Sequence, residues 1–295
     1  TYRDYHRPIP ASIHRDALHA RDHDMATIRP TALLLSVAAL AGCAPPASDS
    51  GFDLSRYQLV DLTHAFTPET LYWPTSPSGF RLDELAYGPT PGGWFYSSYA
   101  FAAPEHGGTH LDAPIHFHEG GRTADQIPLE QLVSKAIVID LSARAAEDRD
   151  ARLSVDEVTA FEQQPGRIPR GAFVLPKPGW ARHWGNRMAS FGDTTAGDAS
   201  RLHFPGFGVD AAKLLIEDRQ VTGLGIDSPS IDYGPSADFL VHRILSAKNG
   251  IALENLTGLD ALPPIGATVI ALPMKIAKGS GGPVRVIGLV PRAGP

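Results

Sequence analysis

The chain has 295 residues, of which 43% are hydrophobic and 20% charged, and this is the composition of an ordinary globular protein. The formal net charge is -6 and no stripe of lysine and arginine runs along any segment, which argues against nucleic acid or another polyanion as a partner. The length allows one large hydrophobic core, and we predict a single folded domain over residues 57–295.

The N-terminal part of the chain has the features of upstream and targeting sequence. Residues 1–24 mix charges, histidines and prolines without periodicity, and we expect them to be disordered. From Met25, a short region with Arg29 leads into the apolar run TALLLSVAALAG, which is too short to span a bilayer but suits the core of a signal peptide. Residues 25–43 are therefore predicted to be a signal peptide for export.

The end of this apolar run, Leu-Ala-Gly-Cys at residues 40–43, resembles the lipobox of bacterial lipoproteins, in which the cysteine is acylated. Cys43 is the only cysteine, so an internal disulfide is excluded and acylation would account for the single thiol. We expect a periplasmic or cell-surface protein of the bacterial envelope, whose only membrane contact is this lipid anchor. The alternative is an ordinary signal peptide with an incidental cysteine. Residues 44–56, rich in Pro, Ser and Ala, are predicted to be a linker.

From Tyr57 onward, strand and helix patterns mix without an internal repeat. Apolar segments with Gly or Pro at many of their ends predict strands at YQLVDLTH, SYAFAA, KAIVIDL, GAFVLP, TGLGID, IALENL, ATVIALP and VRVIGLV. A capping box formed by Ser154 and Glu157, and apolar residues at helical spacing, predict helices at VTAFEQQ, VDAAKLLIEDR and SADFLVHRILSAKN. The predicted fold is a single mixed α/β domain, strand-rich with a few packed helices. Segment 177–205 lacks periodicity and is predicted to be a loop that shapes the active site.

The segment HGGTHLDAPIHF, residues 106–117, carries the side chains that point most directly to chemistry. Its two glycines and Pro114 exclude a helix, so we predict that it runs extended. Side chains two apart share a face in an extended chain, so polar and apolar side chains would separate onto opposite faces. The polar face then consists of His106, His110, Asp112 and His116.

This polar face has the composition of a metal site. Imidazole and carboxylate together suit zinc, manganese or iron(II), whereas calcium and magnesium prefer oxygen ligands. The alternative is a histidine-rich surface loop, since the chain has 12 histidines. The alternation with apolar residues and the stiff Asp-Ala-Pro segment favour a preformed site. His118, next to Glu-Gly-Gly, is predicted to face solvent.

Two residues elsewhere could complete such a site. His242 lies in the otherwise largely apolar helix segment FLVHRIL, and Glu254 ends the predicted strand IALEN. Taken alone, a histidine in an apolar helix is more often a hydrogen-bonded core residue, and a glutamate at a strand end is more often solvated. The residues by themselves leave both assignments open.

Several blocks together resemble the metal-dependent cyclase family, which includes bacterial kynurenine formamidase and isatin hydrolase. The blocks follow the order of the family and span most of residues 57–290; they are HGGTHLDAPIHF, GIDSPSID, the helix with His242, ENLTGL and ALPMKIAKGSGGPVRVIGL. The resemblance implies a mixed α/β fold and homodimers in which N-terminal loops close the site of the neighbouring subunit.

The resemblance also implies a set of metal ligands. His106, His110 and Asp112 would bind a first divalent ion, Zn²⁺ or Mn²⁺. Asp112 would bridge to a second ion held with His242 and Glu254, and the glutamate would contact both ions. Some members of the family have glutamine in place of this glutamate and work with one metal, so Glu254 permits two ions without requiring them.

The family resemblance places two further residues in the active site. His116 occupies the position of the proton-transferring histidine. Trp73, in LYWPTSP, matches an aromatic-proline element that lines the substrate site, although an ordinary core tryptophan is the alternative. The chain departs from the smaller formamidases by a longer segment 142–205 and by LPKPGW where those enzymes have a threonine-glycine-tryptophan turn, so the substrate is not transferred from any relative.

These expectations define a metal-dependent hydrolase that cleaves an amide-type C–N bond of a small aryl formamide, such as N-formylkynurenine, or of a cyclic amide, such as isatin. His116 would be its general acid and base. A serine hydrolase is disfavoured because no G-x-S-x-G motif is present. GSGGPVR is predicted to be a tight turn into the last strand, not an anion cradle. The remaining alternative is a lipid-anchored protein that binds metal or a small solute without turnover.

Overall fold

The structure, a computed structural model, describes residues 52–164 and 166–292. These residues belong to one unit, Phe52–Pro295. The predicted upstream segment, signal peptide and lipid-attachment site, and most of the predicted linker, lie outside the described residues. None of the helices within the described ranges is long and apolar enough to cross a membrane.

Strands dominate the architecture. In chain order they are β1 Tyr57–Asp61, β2 Arg81–Pro89, β3 Phe95–Ala102, β4 His110–Asp112, β5 Val133–Asp140, β6 Arg152–Leu153, β7 Phe173–Lys177, β8 Gly206–Phe207, β9 Gly223–Gly225, β10 Ile251–Glu254, β11 Thr268–Pro273 and β12 Gly281–Pro291. Every strand that the sequence predicts is present.

Short helices connect these strands. The α-helices are α1 Leu129–Leu132, α2 Ser142–Glu147, α3 Val155–Glu162, α4 Arg187–Phe191, α5 Val209–Lys213 and α6 Leu240–Ala247, and α5 continues as a π-helix over Leu214–Asp218. Single 3-10 turns cover Leu54–Arg56, Pro114–His116, Ala124–Gln126, Trp180–His183 and Leu259–Ala261. The predicted capping box starts α3, because the Ser154 hydroxyl accepts from the Glu157 backbone N–H while the Glu157 carboxylate accepts from Ser154.

The main sheet closes on itself. Its strands follow the order β1-β12-β11-β5-β7-β9-β10-β4, and β4 pairs in addition with β12, so that the sheet forms a barrel-like ring with β1 attached outside it. Strands β5, β7, β9 and β10 are parallel to their neighbours in this group, whereas the other pairs are antiparallel. The fold is a strand-rich mixed α/β domain, as predicted.

Two cores lie on opposite faces of this sheet. Alternate side chains of β5 and β7, such as Val138 and Phe173, pack inside the ring, while Ile139 and Val174 pack against the helices α3, α5 and α6. Burial on both faces explains why these parallel strands are nearly continuous apolar runs. The ring and its helical cover provide a rigid base for side chains at the strand ends.

The segment 106–117 is only partly extended. β4 ends at Asp112, and Pro114–His116 forms a 3-10 turn, so the predicted extended run through Phe117 is wrong beyond Ala113. Proline at the first position of a helical turn loses no hydrogen bond and already has the required φ, and this favours the turn. The predicted apolar face is nevertheless correct for Leu111 and Ala113, which are buried in the core.

A separate two-stranded ribbon consists of β2 and β3, residues 81–102. The sequence predicts only part of β3 and misses β2. A strand is recognised by the contrast between a buried apolar face and a solvated polar face, and every residue of both ribbon strands is exposed or half-buried. In segment 177–205 the sequence correctly predicts no strand pair but misses the short helix α4, residues 187–191.

Candidate metal centre

Strand β4 and two later elements, α6 and β10, bring four ionisable side chains together in the interior. β4 carries His110 and Asp112, and the register of the antiparallel β4–β10 pair places Glu254 opposite His110. His242 reaches the same place from the first turn of α6. All four side chains are buried, which is rare for such residues unless they are paired or bind a metal.

The four side chains form a compact ring of contacts. The imidazole Nε2 atom of His242 lies 3.1 Å from Asp112 Oδ2 and 3.1 Å from Glu254 Oε1. The Nε2 atom of His110 lies 3.3 Å from Asp112 Oδ1 and 3.4 Å from Glu254 Oε2. Each carboxylate therefore faces both imidazoles, and the four groups converge on one point.

A fifth side chain, His106, extends this cluster toward solvent. Its Nδ1 atom lies 2.7 Å from Asp112 Oδ1, and its side chain is half-buried. Two groups of potential ligand atoms result, one of His106, His110 and Asp112 and one of Asp112, His242 and Glu254. Asp112 belongs to both groups. The structure thus brings together all five residues that the resemblance implies as ligands.

The electrostatics of the cluster favour a bound cation. Burial alone lowers the pKa of His110, but the carboxylates of Asp112 and Glu254 outweigh burial and raise this pKa to about 9. Burial alone raises the pKa of Asp112, but the imidazoles of His106 and His110 hold it well below its usual range. Two buried carboxylates thus require positive charge beside them, which protons on histidine or a divalent ion can supply.

The imidazoles are oriented as metal ligands usually are. Nδ1 of His110 donates to the Gly108 carbonyl over 3.0 Å, and Nδ1 of His242 lies 2.7 Å from Asp232 Oδ2. A hydrogen bond on one ring nitrogen fixes the tautomer and leaves the lone pair on the other nitrogen. Here both Nε2 atoms face the carboxylates. The donor set and its orientation fit a divalent metal ion.

Asp232 also shows how α6 is anchored. Its carboxylate accepts from the backbone N–H groups of Val241 and His242 over 3.1 Å each, so it caps the start of the helix that delivers His242. Asp232 was not among the predicted site residues. Its signal was present in the block GIDSPSID, where this aspartate follows the apolar Ile231 eight residues before α6 begins.

His116 lies beside the cluster but belongs to neither group of ligand atoms. Its ring stacks on the ring of His106, with centroids 3.7 Å apart and planes inclined by 14°. Among the described residues no hydrogen bond holds either of its ring nitrogens. Burial, helped by the charges of nearby histidines, lowers the pKa of His116 to about 4, although Asp112 acts in the opposite direction. His118 is exposed, as predicted.

A cavity of about 220 Å³ opens directly over the cluster. His106, His110, His116, His242 and Glu254 line its polar end. The rest of its wall is mainly apolar and aromatic, and it includes Leu71, Trp73, Phe117, Phe191 and Phe239. A small, flat, apolar molecule would therefore contact the cluster with one polar end.

Trp73 lies in this wall as the resemblance implies, and it also packs on core residues. Its ring makes edge contacts with Phe191 and Phe204, with centroids 6.2 Å apart in each case, and a tilted contact with Phe239 at 6.0 Å. Phe191 and Phe204 both belong to the segment 177–205, and Phe191 lines the cavity.

Phe239 is a wall residue that the sequence analysis missed. It precedes α6 with φ 50° and ψ 43°, a left-handed conformation that is uncommon for a residue with a side chain. Such strained residues tend to occur at functional sites. Backbone conformation of this kind leaves no periodic pattern in a sequence, so no sequence signal could have identified the position.

A largely buried cluster of three histidines and two carboxylates, placed at the floor of an apolar cavity, is the arrangement of a metal-dependent hydrolase. Comparison with known proteins agrees with this class. The model of the Cyclase family matches residues 60–233, more than half of the chain. This chain belongs to the cyclase family.

Individual relatives carry hydrolase names. The chain is 34% identical to isatin hydrolase of Roseibium aggregatum over 64% of this chain and 73% of that protein. It is 27% identical to kynurenine formamidase of Salinibacter ruber over 78% of this chain and 96% of that protein. Among solved structures, isatin hydrolase A from Ralstonia solanacearum is similar with a TM-score of 0.72 and 33% identity, over 84% of this chain and 99% of that one.

These matches confirm three predictions, namely the family, the mixed α/β fold and a metal-dependent hydrolase as the class of enzyme. The roles of the individual site residues stay predictions, as do the identity of the metal, the homodimer and the location in the cell.

Proposed function

We propose that this protein hydrolyses an amide-type C–N bond in a small aromatic substrate, either an aryl formamide or a cyclic amide of the isatin type. The single observation that carries this proposal is the position of the metal-type cluster, which consists of His106, His110, Asp112, His242 and Glu254. It lies at the floor of the aromatic cavity, and Asp112 is shared between its two groups of ligand atoms. The names of the relatives support the type of bond.

The residues proposed to hold metal are His106, His110 and Asp112 for one ion and Asp112, His242 and Glu254 for a second. Zn²⁺ and Mn²⁺ are the proposed ions, because the donors combine imidazole nitrogens with carboxylate oxygens. A divalent ion held by these residues would supply Lewis acidity for the attack of water on the amide.

His116 is proposed to move the proton. It lines the cavity with ring nitrogens that no hydrogen bond within the described residues restrains, so a neutral imidazole here can accept a proton from water in the cavity. The proton taken from the attacking water is then available to the leaving nitrogen as the C–N bond breaks and the new C–O bond forms. Stacking on His106 keeps the ring over the cluster.

The wall of the cavity favours a neutral substrate. Neither lysine nor arginine occurs among the described residues that line it, so it has no cationic partner for the carboxylate of an amino-acid substrate. Trp73, Phe117 and Phe239 present aromatic surfaces that suit a flat ring. Within the proposed class we therefore rank neutral cyclic amides above N-formylkynurenine.

The exposed ribbon β2–β3 is proposed to form a homodimer with a second copy of this chain. Large apolar side chains cover it, including Trp94, Phe95, Tyr96, Tyr99 and Phe101, and all of these are exposed. Large exposed apolar side chains in this number usually mark an interface. A two-stranded ribbon is also marginal by itself, so packing against a partner would stabilise it.

Export to the bacterial envelope with acylation of Cys43 is proposed on sequence grounds alone, from the apolar run and the Leu-Ala-Gly-Cys that follows it. Mass spectrometry of the membrane fraction tests this proposal. Acylated Cys43 at the mature N-terminus is expected, and a soluble, unmodified protein that retains residues 25–42 would contradict it.

The proposed activity is tested with metal-free protein reloaded with Zn²⁺ or Mn²⁺ and offered isatins, lactams and aryl formamides. Mass spectrometry should show products heavier by one water for cyclic amides, and activity should disappear when a chelator removes the metal. A protein that binds one of these compounds tightly but turns over no amide in the panel would instead be a binding protein.

A further inference from the structure

The turn Gly279–Gly282, which precedes and begins β12, contacts the outer side of the cluster. β12 pairs with β4 so that Gly281 lies opposite Asp112, and this register brings Ser280 beside His106. The Ser280 hydroxyl oxygen lies 2.8 Å from Nε2 of His106. From the sequence alone, only a structural turn is predicted here.

A carboxylate completes this contact. Oε2 of Glu105 accepts from the backbone N–H of Ser280 over 2.9 Å and from the Ser280 hydroxyl over 2.5 Å. An ionised carboxylate can only accept hydrogen bonds, so the hydroxyl proton points at Glu105 and the serine oxygen presents lone pairs to His106. Nε2 of His106 must then be the donor. Its Nδ1 atom, 2.7 Å from Asp112 Oδ1, faces that carboxylate through either a second proton or a metal ion, and a metal ion requires the neutral ring with its lone pair on Nδ1.

The backbone around Ser280 is shaped for this close approach. A Cβ atom at Gly281 would lie 2.7 Å from the Cε1 atom of His106, and one at Gly279 would lie 2.8 Å from a carboxylate oxygen of Glu105. Both distances are shorter than real side-chain contacts allow. The glycines on either side of the serine therefore permit the turn to lie against both partners.

We propose that Glu105 and Ser280 are positioning residues that fix the Nε2–H tautomer of His106 and direct its Nδ1 lone pair at the metal. This inference rests on the proposed function, in which His106 is a ligand. It gives His106 the opposite tautomer to His110 and His242, whose Nδ1 atoms carry the supporting hydrogen bonds and whose Nε2 atoms face the carboxylates.

The three histidines are thus supported by different groups, namely a backbone carbonyl for His110, Asp232 for His242 and the Glu105–Ser280 pair for His106. His106 is also the most exposed of the three. Because water competes for an exposed imidazole, this ligand depends most on a side-chain support that holds its ring in place.

The affinity for Zn²⁺, measured by competition with a chelating dye, tests the proposal. Ser280→Ala should weaken zinc binding by about 10–100-fold, the usual cost of removing a group that supports a metal-bound histidine. Ser280→Thr, which keeps the hydroxyl, should restore the affinity toward that of the parent. Glu105→Gln should also weaken binding, because an amide can donate to the serine oxygen and release the hydroxyl proton toward Nε2.

Ser134→Ala is the matched control. The Ser134 hydroxyl also makes one hydrogen bond in a half-buried position, to the Gly171 carbonyl over 2.6 Å, but it lies on β5 away from the cluster. This variant should bind zinc like the parent. If Ser280→Ala also bound zinc with the affinity of the parent, the positioning role would be wrong.

Nitrogen-15 NMR of the histidine rings in the zinc-loaded parent is a second test and requires no variant to fold. Metal on Nδ1 of His106 with a proton on Nε2 is expected, and metal on Nε2 would overturn the proposal. A parent that binds no Zn²⁺ would overturn both this inference and the proposed metal centre, whereas an unaffected Ser280→Ala variant would overturn only the inference.

Discussion

The metal-type cluster and the β2–β3 ribbon reverse the usual distribution of side chains in opposite ways. At the cluster, Asp112 and Glu254 are only 4% and 5% exposed, whereas on the ribbon Phe95 and Phe101 are 60% and 54% exposed. Globular proteins normally expose carboxylates and bury phenylalanine side chains. Each reversal is unfavourable by itself, and each is therefore a sign of something that the protein binds.

The two regions differ in how they are held. Cluster side chains lie on a closed sheet and a capped helix, with hydrogen bonds that fix their orientation, so the site is formed before any ligand arrives. Within the described part of the chain, the ribbon pairs only with itself, and none of its side chains is buried in the core. A preformed polar site suits catalysis, whereas an uncovered apolar ribbon suits association with another subunit.

The largest effect is expected at the residue shared by both ligand groups. Asp112→Asn should lose bound metal and reduce kcat/KM by about three decades or more, because Lewis-acid stabilisation is worth several kcal/mol. Elemental analysis and turnover of the best amide substrate measure this. Asp83→Asn on the ribbon removes an exposed carboxylate paired with Arg81 and should change neither quantity. Full metal content in Asp112→Asn would disprove the ligand assignment.

The next effect separates proton transfer from metal binding. His116→Ala should retain metal but lose roughly two to four decades of kcat, the range that general acid–base catalysis supplies. Steady-state kinetics and elemental analysis on the same preparation measure both quantities. Loss of metal in this variant would make His116 a ligand, and the parental rate would remove it from the mechanism.

The carboxyl group of Asp227 is buried, and no histidine of the described structure is among the groups that shift its pKa. It therefore shows how a buried carboxyl behaves without the imidazoles that surround Asp112. Burial raises the pKa of Asp227 to about 7, while hydrogen bonds from the backbone of Ala181 and Trp180 act in the opposite direction. Its Oδ1 atom has no hydrogen-bond partner within the described structure. Unlike Asp112, this carboxyl therefore favours its protonated form when the protein is folded.

The consequence for stability has a definite sign. Between pH 4 and 7 the folded protein keeps a proton on Asp227 that the unfolded chain loses, so this group makes the free energy of unfolding fall as pH rises, by on the order of 4 kcal/mol in total. Asp227→Asn cannot ionise and should remove this part of the slope. Urea unfolding of both proteins across this pH range measures it, and parallel pH profiles would contradict the burial argument.

The smallest effect is expected on the ribbon. Phe101→Ser should raise the dissociation constant of the dimer by roughly thirtyfold, which corresponds to about 2 kcal/mol for an aromatic residue at the centre of an interface. Analytical ultracentrifugation measures it. Leu129→Ser, at an exposed apolar residue outside the ribbon, is the control and should leave the dimer intact. A parent that is monomeric at all concentrations would remove the ribbon from any subunit interface.

Local patterns in the sequence predicted much of the fold and of the site. The parallel strands β5, β7, β9 and β10 are apolar runs because both of their faces are buried, and this produces a strong local signal. His110 and Asp112 were predicted to share a face, and they do so because β4 is a regular strand over both of them.

The rest depends on contacts between distant parts of the chain. Nothing near His242 indicates that α6 places it against β4, and Ser280 reaches His106 only through the register of β12 on β4. The alternation predicted up to His116 fails at Pro114, yet the 3-10 turn still brings His116 onto His106. For His242 and Glu254, the family resemblance supplied what spacing alone left open.

The measurement that tests the central claim most directly is a crystal structure of the zinc-loaded protein with anomalous diffraction at the zinc edge. We expect one or two peaks within coordination distance of Asp112, the first also bound by His106 and His110 and the second by His242 and Glu254, with Zn–N and Zn–O distances of about 2.0–2.2 Å. A fully loaded crystal whose zinc lies elsewhere, with these five side chains still bonded only to one another, would contradict the proposed metal centre.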